Sequence, residues 1–247
     1  MTVQAGIFIK SGSPHVVEVL GGSGLDFVVV DAEHAPFDRG SLDLMMMAGR
    51  AANLPVVVRV SDDRHSTLLS ALDIGAAGVL VPHVDTAEQA AEIVRNTRFE
   101  IGERGYSGSP RFAGYGSLGQ ADARKRGDEA IVLCQIESRQ ALEECEAIAS
   151  TEGIDGIFIG RSDLALSLRA PSVGDPEVVS ATQRIIAAGV AAGRLVGMFV
   201  GSGEEAAQYI PLGANWFIVG SDQSILKRGA QMIAGFPAFA AQEGQTA

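Results

Sequence analysis

The sequence predicts an α/β protein, a (β/α)8 TIM barrel in a single domain over residues 1–247. Three observations carry that expectation. Short runs rich in Val, Ile, Leu and Phe recur eight times. Helix-like segments lie between them. One phrase, a helix ending at glycine followed by a short turn and an apolar strand, returns at Gly24, Gly75, Gly153 and Gly213. Runs that are apolar at nearly every position mark strands buried on both faces, as in parallel sheets covered by helices. Glycine suits the left-handed position that closes a helix, and the short turn returns the chain to the sheet. Eight strands alternating with helices point to a closed barrel.

In chain order, the strands are expected at 6–10, 27–31, 55–59, 78–82, 131–137, 156–160, 195–199 and 216–220. The helical segments are clearest at 41–52, 66–74, 86–97, 138–149, 177–192 and 203–212. An open doubly wound sheet is the structural alternative. It normally carries a Gly-rich phosphate loop after an early strand, whereas Gly21-Gly-Ser-Gly24 here precedes one. Residues 99–129 lack a strong helical period and hold Arg104-Gly-Tyr-Ser-Gly-Ser-Pro-Arg-Phe-Ala-Gly-Tyr-Gly116. A stretch this long is expected to be a loop or insertion near the active site or at an interface. Residues 242–247 are expected to form a flexible tail.

Composition narrows the function. A formal charge of −11 and a pI near 4.8 argue against nucleic acid or an anionic membrane as partner, because basic patches recruit both. Cys134 and Cys145, the only cysteines, suggest neither a disulfide framework nor a thiolate metal site. No apolar run approaches the roughly 18 residues that span a bilayer. The start of the chain lacks the basic and apolar regions of a signal peptide, so a cytoplasmic location is expected.

Chemistry is expected at the carboxyl ends of the strands, where ligands bind in parallel α/β sheets. Ile131-Val-Leu-Cys-Gln-Ile-Glu137 and Gly156-Ile-Phe-Ile-Gly-Arg-Ser-Asp163 each end in a carboxylate, one βα unit apart. Two convergent hard oxygen donors invite Mg²⁺ or Mn²⁺. The structural alternatives are an ion pair for Glu137 and a helix cap for Asp163. Phe27-Val-Val-Val-Asp31-Ala-Glu33-His34-Ala-Pro36 places further polar groups after a buried strand. Asp31 and His34 are spaced to form a carboxylate–imidazole pair that moves a proton near neutral pH. Arg59, ending Val56-Val-Val-Arg59, offers a planar cation for an enolate or carboxylate, or a salt bridge to Glu33 or Asp31. His83, after the fourth strand, is a weaker pocket candidate.

With these residues assembled, the chain resembles the HpcH/HpaI aldolase family, from Gly6 to Ile233. The pieces that carry the resemblance are residues 27–36, Gly78-Val-Leu-Val-Pro82, Arg104-Gly105, Gln135-Ile-Glu137-Ser-Arg139, and residues 152–160 running into Ser162-Asp-Leu164. The resemblance implies a class II, metal-dependent pyruvate aldolase that needs a divalent ion (Mg²⁺, Mn²⁺ or Co²⁺) and no organic cofactor. It implies Glu137 and Asp163 as metal ligands, and Gln135, Glu33 and the backbone of Ser162 and Asp163 on the substrate side. It implies Arg59 at the keto oxygen, and His34, oriented by Asp31, as the acid/base that acts with a metal-bound water. The implied reaction is reversible retro-aldol cleavage of a 4-hydroxy-2-oxo acid, a 2-keto-3-deoxy sugar acid or a diacid, to pyruvate and an aldehyde. Lys10, at the end of the first strand, is the one residue placed for a lysine mechanism. The family further implies a homohexamer, a trimer of dimers that exchange their C-terminal helix, for which the apolar stretch 225–239 offers a surface.

Two departures stand out. Arg161 occupies the place where the family commonly has proline, and is expected to alter the pocket or point into an interface. Residues 107–116 also differ from the better-known sugar-acid aldolases, which bears on the aldehyde accepted. The competing expectations are citrate-lyase-like cleavage of an acyl-CoA thioester and a non-catalytic barrel that binds a 2-oxo acid.

Overall fold

The structure, a computed structural model, describes residues 2–235 and shows a closed barrel of eight parallel strands in sequence order, with the last strand pairing back on the first. The strands are β1 Gln4–Ile9, β2 Phe27–Asp31, β3 Val56–Arg59, β4 Gly78–Val81, β5 Ile131–Ile136, β6 Gly156–Ile159, β7 Leu195–Val200 and β8 Trp216–Ser221. Each falls within a residue or two of its expected place. The four phrase glycines all adopt positive φ: Gly24 at 81°, Gly75 at 88°, Gly153 at 92° and Gly213 at 109°. A β-carbon is disfavoured there, which is why the phrase is readable at all.

Helices return the chain between strands: α1 Pro14–Leu20, α2 Arg39–Ala52, α3 His65–Asp73, α4 Ala87–Thr97, α5 Gln120–Asp128, α6 Arg139–Glu143, α7 Cys145–Ser150, α8 Arg161–Leu168, α9 Pro176–Ala191, α10 Gly203–Tyr209 and α11 Asp222–Ala234. The helix expected at 138–149 is two, because Glu144 (φ −97°, ψ 2°) breaks the run. That expected at 203–212 ends in a 3-10 turn, Ile210–Leu212.

Strand alternation divides the core in two. One set of strand residues, among them Val28, Val30, Val56, Val58, Val79 and Val81, packs outward with the helices. The other set, including Phe8, Phe27, Val29, Val57, Leu80, Leu133, Phe158 and Trp216, fills the barrel. Phe27 and Trp216 stack at 3.9 Å, and Phe158 meets Trp216 edge-on. Each such side chain contributes roughly 1.5–3 kcal/mol of burial. The aromatic fill closes the barrel below its carboxyl-terminal mouth.

Residues 99–129 are more ordered than a loop. They carry a 3-10 helix, Arg111–Gly116, and α5, and Phe99, Phe112 and Ala123 form their own small core. Arg104 pairs with Asp73 at the end of α3, and Arg111 donates to the Ile74 carbonyl. The segment therefore packs at the amino-terminal end of the barrel, away from the mouth of its own barrel, and corrects the expectation of a loop near this chain's site. The period was hidden because its helices are short and α5 is polar nearly throughout. The tail expected at 242–247 lies outside the described residues.

Candidate active site

The strand period that fills the barrel also builds its mouth. Inward positions run Val29 to Asp31, Val57 to Arg59, and Leu133 to Gln135 to Glu137, so apolar fill gives way to polar groups over one or two repeats. The β2–β3 register sets Asp31 directly beside Arg59. Arg59 donates Nε to Asp31 Oδ1 at 3.0 Å and Nη2 to Oδ2 at 2.8 Å. Lys10 Nζ stands 3.0 Å from the same carboxylate. Burial acts to raise the Asp31 carboxyl, but Arg59, the His34 backbone and Lys10 outweigh it, and the pKa falls to about 2.

Asp31 does not orient the His34 imidazole as expected. Its Oδ1 accepts from the His34 backbone N–H at 3.1 Å, closing a turn, while the two cations take its remaining capacity. The half-exposed imidazole instead has its Nε2 3.7 Å from Glu33. Glu33 is a hub of charge: its carboxylate lies 3.3 Å from Arg59 Nε and 3.2 Å from His83 Nε2. The expected salt bridges of Arg59 to Asp31 and Glu33 are both present.

His83 proves more central than its sequence suggests. It adopts φ 55°, rare for a residue with a side chain, and its ring spans two carboxylates, with Nδ1 3.0 Å from Glu137 and Nε2 3.2 Å from Glu33. Glu33, His83 and Glu137 each place a ligand atom within 4.8 Å of the others, a grouping that the expected pair Glu137 and Asp163 does not include. The missing signal was the left-handed backbone after Pro82, which no residue type announces.

Gln135 and Glu137 face the same way, as the two-residue period requires, and Gln135 Nε2 donates to Glu137 Oε2. Since a carboxylate only accepts, the amide oxygen faces away, buried and without a hydrogen-bond partner. Gly160 completes the arrangement. A β-carbon there would stand 2.4 Å from Glu137 Oε2 and 2.7 Å from its Cβ, so only glycine leaves the carboxylate its place. Gly160 also has no side chain to cap α8, whose first turn carries Ser162 and Asp163. The first backbone N–H groups of a helix have no partner within it and favour anions.

Burial pushes the Glu137 carboxyl up and the charge of Asp163 adds to the rise, which hydrogen bonds from Gln135 and the His83 backbone only partly oppose. A carboxylate whose charge is opposed by burial and by a second carboxylate suits a cation beside it. The hard oxygen donors, the Gly160 cradle and this opposition at Glu137 fit a divalent metal ion.

These groups border a cavity of about 550 Å³ lined by Lys10, His34, Arg59, Gln135, Ser162 and Asp163, with Phe8, Phe158 and Phe199 as apolar wall. Arg161 lines it too, and reaches sideways to the neighbouring β7–α10 unit. It donates to Tyr209 Oη at 3.0 Å, to the Phe199 carbonyl at 2.9 Å and to Glu205 at 2.6 Å, fastening the start of α8 to β7 and α10. Lys10 Nζ is held against the Asp31 carboxylate at the cavity wall. A larger cavity of about 630 Å³, near Arg50, Arg104, Arg111 and Arg126, lies toward the opposite end of the barrel and contains none of the expected site residues.

Residues 4–228 match the model of the HpcH/HpaI aldolase/citrate lyase family. The 5-keto-4-deoxy-D-glucarate aldolase of Klebsiella pneumoniae subsp. pneumoniae is 39% identical over 234 residues, covering 94% of this chain and 91% of that protein. Among solved structures, an HpcH/HpaI aldolase/citrate lyase family protein from Burkholderia cenocepacia J2315 superposes with a TM-score of 0.89 at 34% identity, over 99% of this chain and 95% of that one. The citrate synthase SbnG superposes with a TM-score of 0.87 at 29% identity, over 99% and 96%.

Proposed function

The chain belongs to the HpcH/HpaI aldolase/citrate lyase family, and from that premise we propose that it cleaves a 4-hydroxy-2-oxo diacid of the 5-keto-4-deoxy-glucarate type, using a divalent ion held by Glu137 and Asp163. The enzyme is an aldolase, a carbon–carbon lyase that releases pyruvate and an aldehyde by retro-aldol cleavage. The observation that carries the finer reading is the meeting of Arg59, Gln135, Glu137 and Asp163 at one mouth of the barrel, beside a cavity of small-molecule size.

The chemistry follows from where charge develops. Cleavage breaks the bond between the hydroxyl-bearing carbon and the methylene beside the keto group. Its electron pair passes into the pyruvate enolate, whose oxygen becomes negative. When bound, the ion supplies Lewis-acid polarisation of the 2-oxo group. Arg59 meets the same oxygen: Asp31 occupies its Nε and Nη2, leaving Nη1, which has no hydrogen-bond partner among the described residues, free for substrate. The N–H groups of Ser162 and Asp163 receive the pyruvate carboxylate at the start of α8. The hydroxyl proton passes to His34 directly or through water, and the aldehyde leaves. Protonation of the enolate at carbon then yields pyruvate, and the reverse sequence forms the bond again. Glu33 approaches the same Nε of Arg59 that Asp31 holds, at 3.3 Å, and so acts on the substrate through that residue.

The test is pyruvate release from 5-keto-4-deoxy-D-glucarate and from shorter 2-keto-3-deoxy acids, before and after chelation with EDTA. Activity that stops on chelation and returns with Mg²⁺, Mn²⁺ or Co²⁺ supports the reading; full activity after exhaustive chelation overturns it. A parallel assay with malyl-CoA or citramalyl-CoA separates the acyl-CoA alternative, and absence of turnover with every substrate would favour a binding barrel.

Assembly into a homohexamer, a trimer of dimers sharing their last helix, is part of the same proposal. Its support is α11, whose Ile225, Leu226, Met232 and Ile233 are exposed along a helix with only Asp222 buried. No described helix is long and apolar enough to cross a membrane, and a cytoplasmic site of action suits a soluble 2-oxo acid substrate.

A further inference from the structure

The carboxylate pair Glu137 and Asp163 leaves the His83 ring without a task, although its Nδ1 lies 3.0 Å from Glu137 Oε1, beside the residue's own backbone N–H at 2.9 Å. We propose that His83 is a further ligand of the divalent ion, binding through Nδ1 beside Glu137, with Glu33 accepting the proton on Nε2 to fix the tautomer and the plane of the ring. The inference rests on the reading that this site holds a metal.

Spacing supports it first. Nδ1 and Glu137 Oε1 lie 3.0 Å apart. Adjacent donors around an octahedral ion at about 2.1 Å are separated by about 3.0 Å. Glu33 is grouped with these two, a carboxylate oxygen within 4.8 Å of their ligand atoms, and stands at the far nitrogen of the ring rather than on the ion.

The second support is the other ring nitrogen. A metal-bound histidine usually donates its remaining N–H to a carboxylate, which sets the tautomer and strengthens the ligand. Here Nε2 stands 3.2 Å from Glu33 Oε1, and Glu33 is itself held by Arg59 Nε at 3.3 Å. The order Arg59, Glu33, His83, Glu137 is that of a braced ligand.

The third support is the backbone. His83 takes a left-handed φ of 55°, held by its own N–H on Glu137 at 2.9 Å and by Gln89 Nε2 donating to its carbonyl at 3.1 Å. That conformation turns the ring back over the strand end instead of following the chain outward to α4. A ring that served only solvent would need no such turn.

The consequence is selectivity. An all-oxygen site suits Mg²⁺, whereas one imidazole favours Co²⁺ and other later first-row ions. Calorimetric titration of the metal-free full-length enzyme with Co²⁺ and with Mg²⁺ tests this, comparing wild type with His83→Gly and His83→Asn. Both replacements tolerate positive φ. The expected result is a loss of Co²⁺ affinity of about tenfold or more, with Mg²⁺ affinity changed less, and recovery of the Co²⁺ affinity of His83→Gly on adding free imidazole. The visible bands of bound Co²⁺ should move to longer wavelength in the variants and return with imidazole. In Co²⁺-loaded wild type, proton NMR should show a hyperfine-shifted, solvent-exchangeable imidazole N–H, a measurement independent of any variant's folding. Unchanged Co²⁺ affinity and spectrum in the variants, with no such proton in wild type, overturn the role of His83 while leaving the metal site intact. Failure of wild type to bind either ion, or binding untouched by Glu137→Gln, overturns the metal reading and this inference together.

Discussion

Arg59 lays Nε and Nη2 on the two oxygens of Asp31, at 3.0 and 2.8 Å, and the carboxylate so gripped is fully buried. The pair aims the cation. Without Asp31 the guanidinium is free to collapse onto Glu33, and its Nη1 leaves the place proposed for the enolate oxygen. Breaking a buried pair from one side costs about 3–5 kcal/mol. Asp31→Asn is therefore expected to lower kcat more than it raises KM, and to lower the unfolding free energy. The carboxyl is shifted from 3.8 to about 2 on folding, so its contribution is full above the unfolded value and disappears as pH falls from about 4 to about 2. That shift corresponds to about 2 kcal/mol. Urea unfolding of both proteins at pH 7 and pH 3 measures it, and a stability gap that does not narrow with acid speaks against this assignment.

Glu137→Gln is expected to behave in the opposite way toward stability. The amide keeps the shape and can still accept from His83, while a buried charge repelled by Asp163 is removed. The metal-free variant should melt at or above the temperature of metal-free wild type, lose metal binding, and release pyruvate about 100-fold more slowly or worse. A destabilised variant that still binds metal would contradict the role given to Glu137.

How much of this was legible depended on how local each cause is. Buried strands announce themselves through runs such as Phe27-Val-Val-Val, and a two-residue period is enough to say that Gln135 and Glu137 face one way. The phrase glycines carry their left-handed φ in their identity. Partnerships across the barrel carry no such mark. Arg161 finds Glu205 and Tyr209 more than forty residues onward, and Lys10 reaches Asp31 only because β1 and β2 are neighbours. The pairing of Asp31 with the His34 ring failed because nearness in sequence admits the backbone N–H as well as the side chain, and the backbone was closer.

Gly160→Ala tests the cradle. The new methyl would meet Glu137 Oε2 at 2.4 Å and its Cβ at 2.7 Å, and Gln135 Nε2 at 3.1 Å. Glu137 must move, because the strand behind it cannot. Overpacking of this kind costs about 1–3 kcal/mol, which a barrel of this size survives. The variant should fold, as judged by circular dichroism, yet lose metal affinity and turnover together. Retention of both would mean that Glu137 has slack which the structure does not reveal.

Exchange of α11 makes a prediction about mass. Leu226 and Met232 are 65% and 77% exposed in the single chain, so a change to Glu at either should cost the isolated barrel little. In an assembly that buries them, Leu226→Glu should shift the light-scattering mass toward the monomer. A monomeric wild type at micromolar concentration would remove the basis for the hexamer.

Arg161→Lys asks whether the clasp between α8 and α10 acts on substrate. Arginine reaches three acceptors through a planar fork, Tyr209, the Phe199 carbonyl and Glu205, which a single ammonium cannot serve at once. Losing a charged hydrogen bond in a largely buried setting costs about 1.5–3 kcal/mol. Burial acts to raise the Glu205 carboxyl, but the Gly201 N–H and Arg161 outweigh it and hold it below its ordinary value. The stabilisation from this carboxylate is therefore present above the ordinary carboxylate range and fades as pH falls through it. The stability gap between wild type and Arg161→Lys should narrow on acidification for the same reason. Because the clasp fixes the turn that presents the N–H groups of Ser162 and Asp163, loosening it should raise KM for the 2-oxo acid more than it lowers kcat. A variant with unchanged KM but reduced stability would make Arg161 a brace for the barrel wall and nothing more.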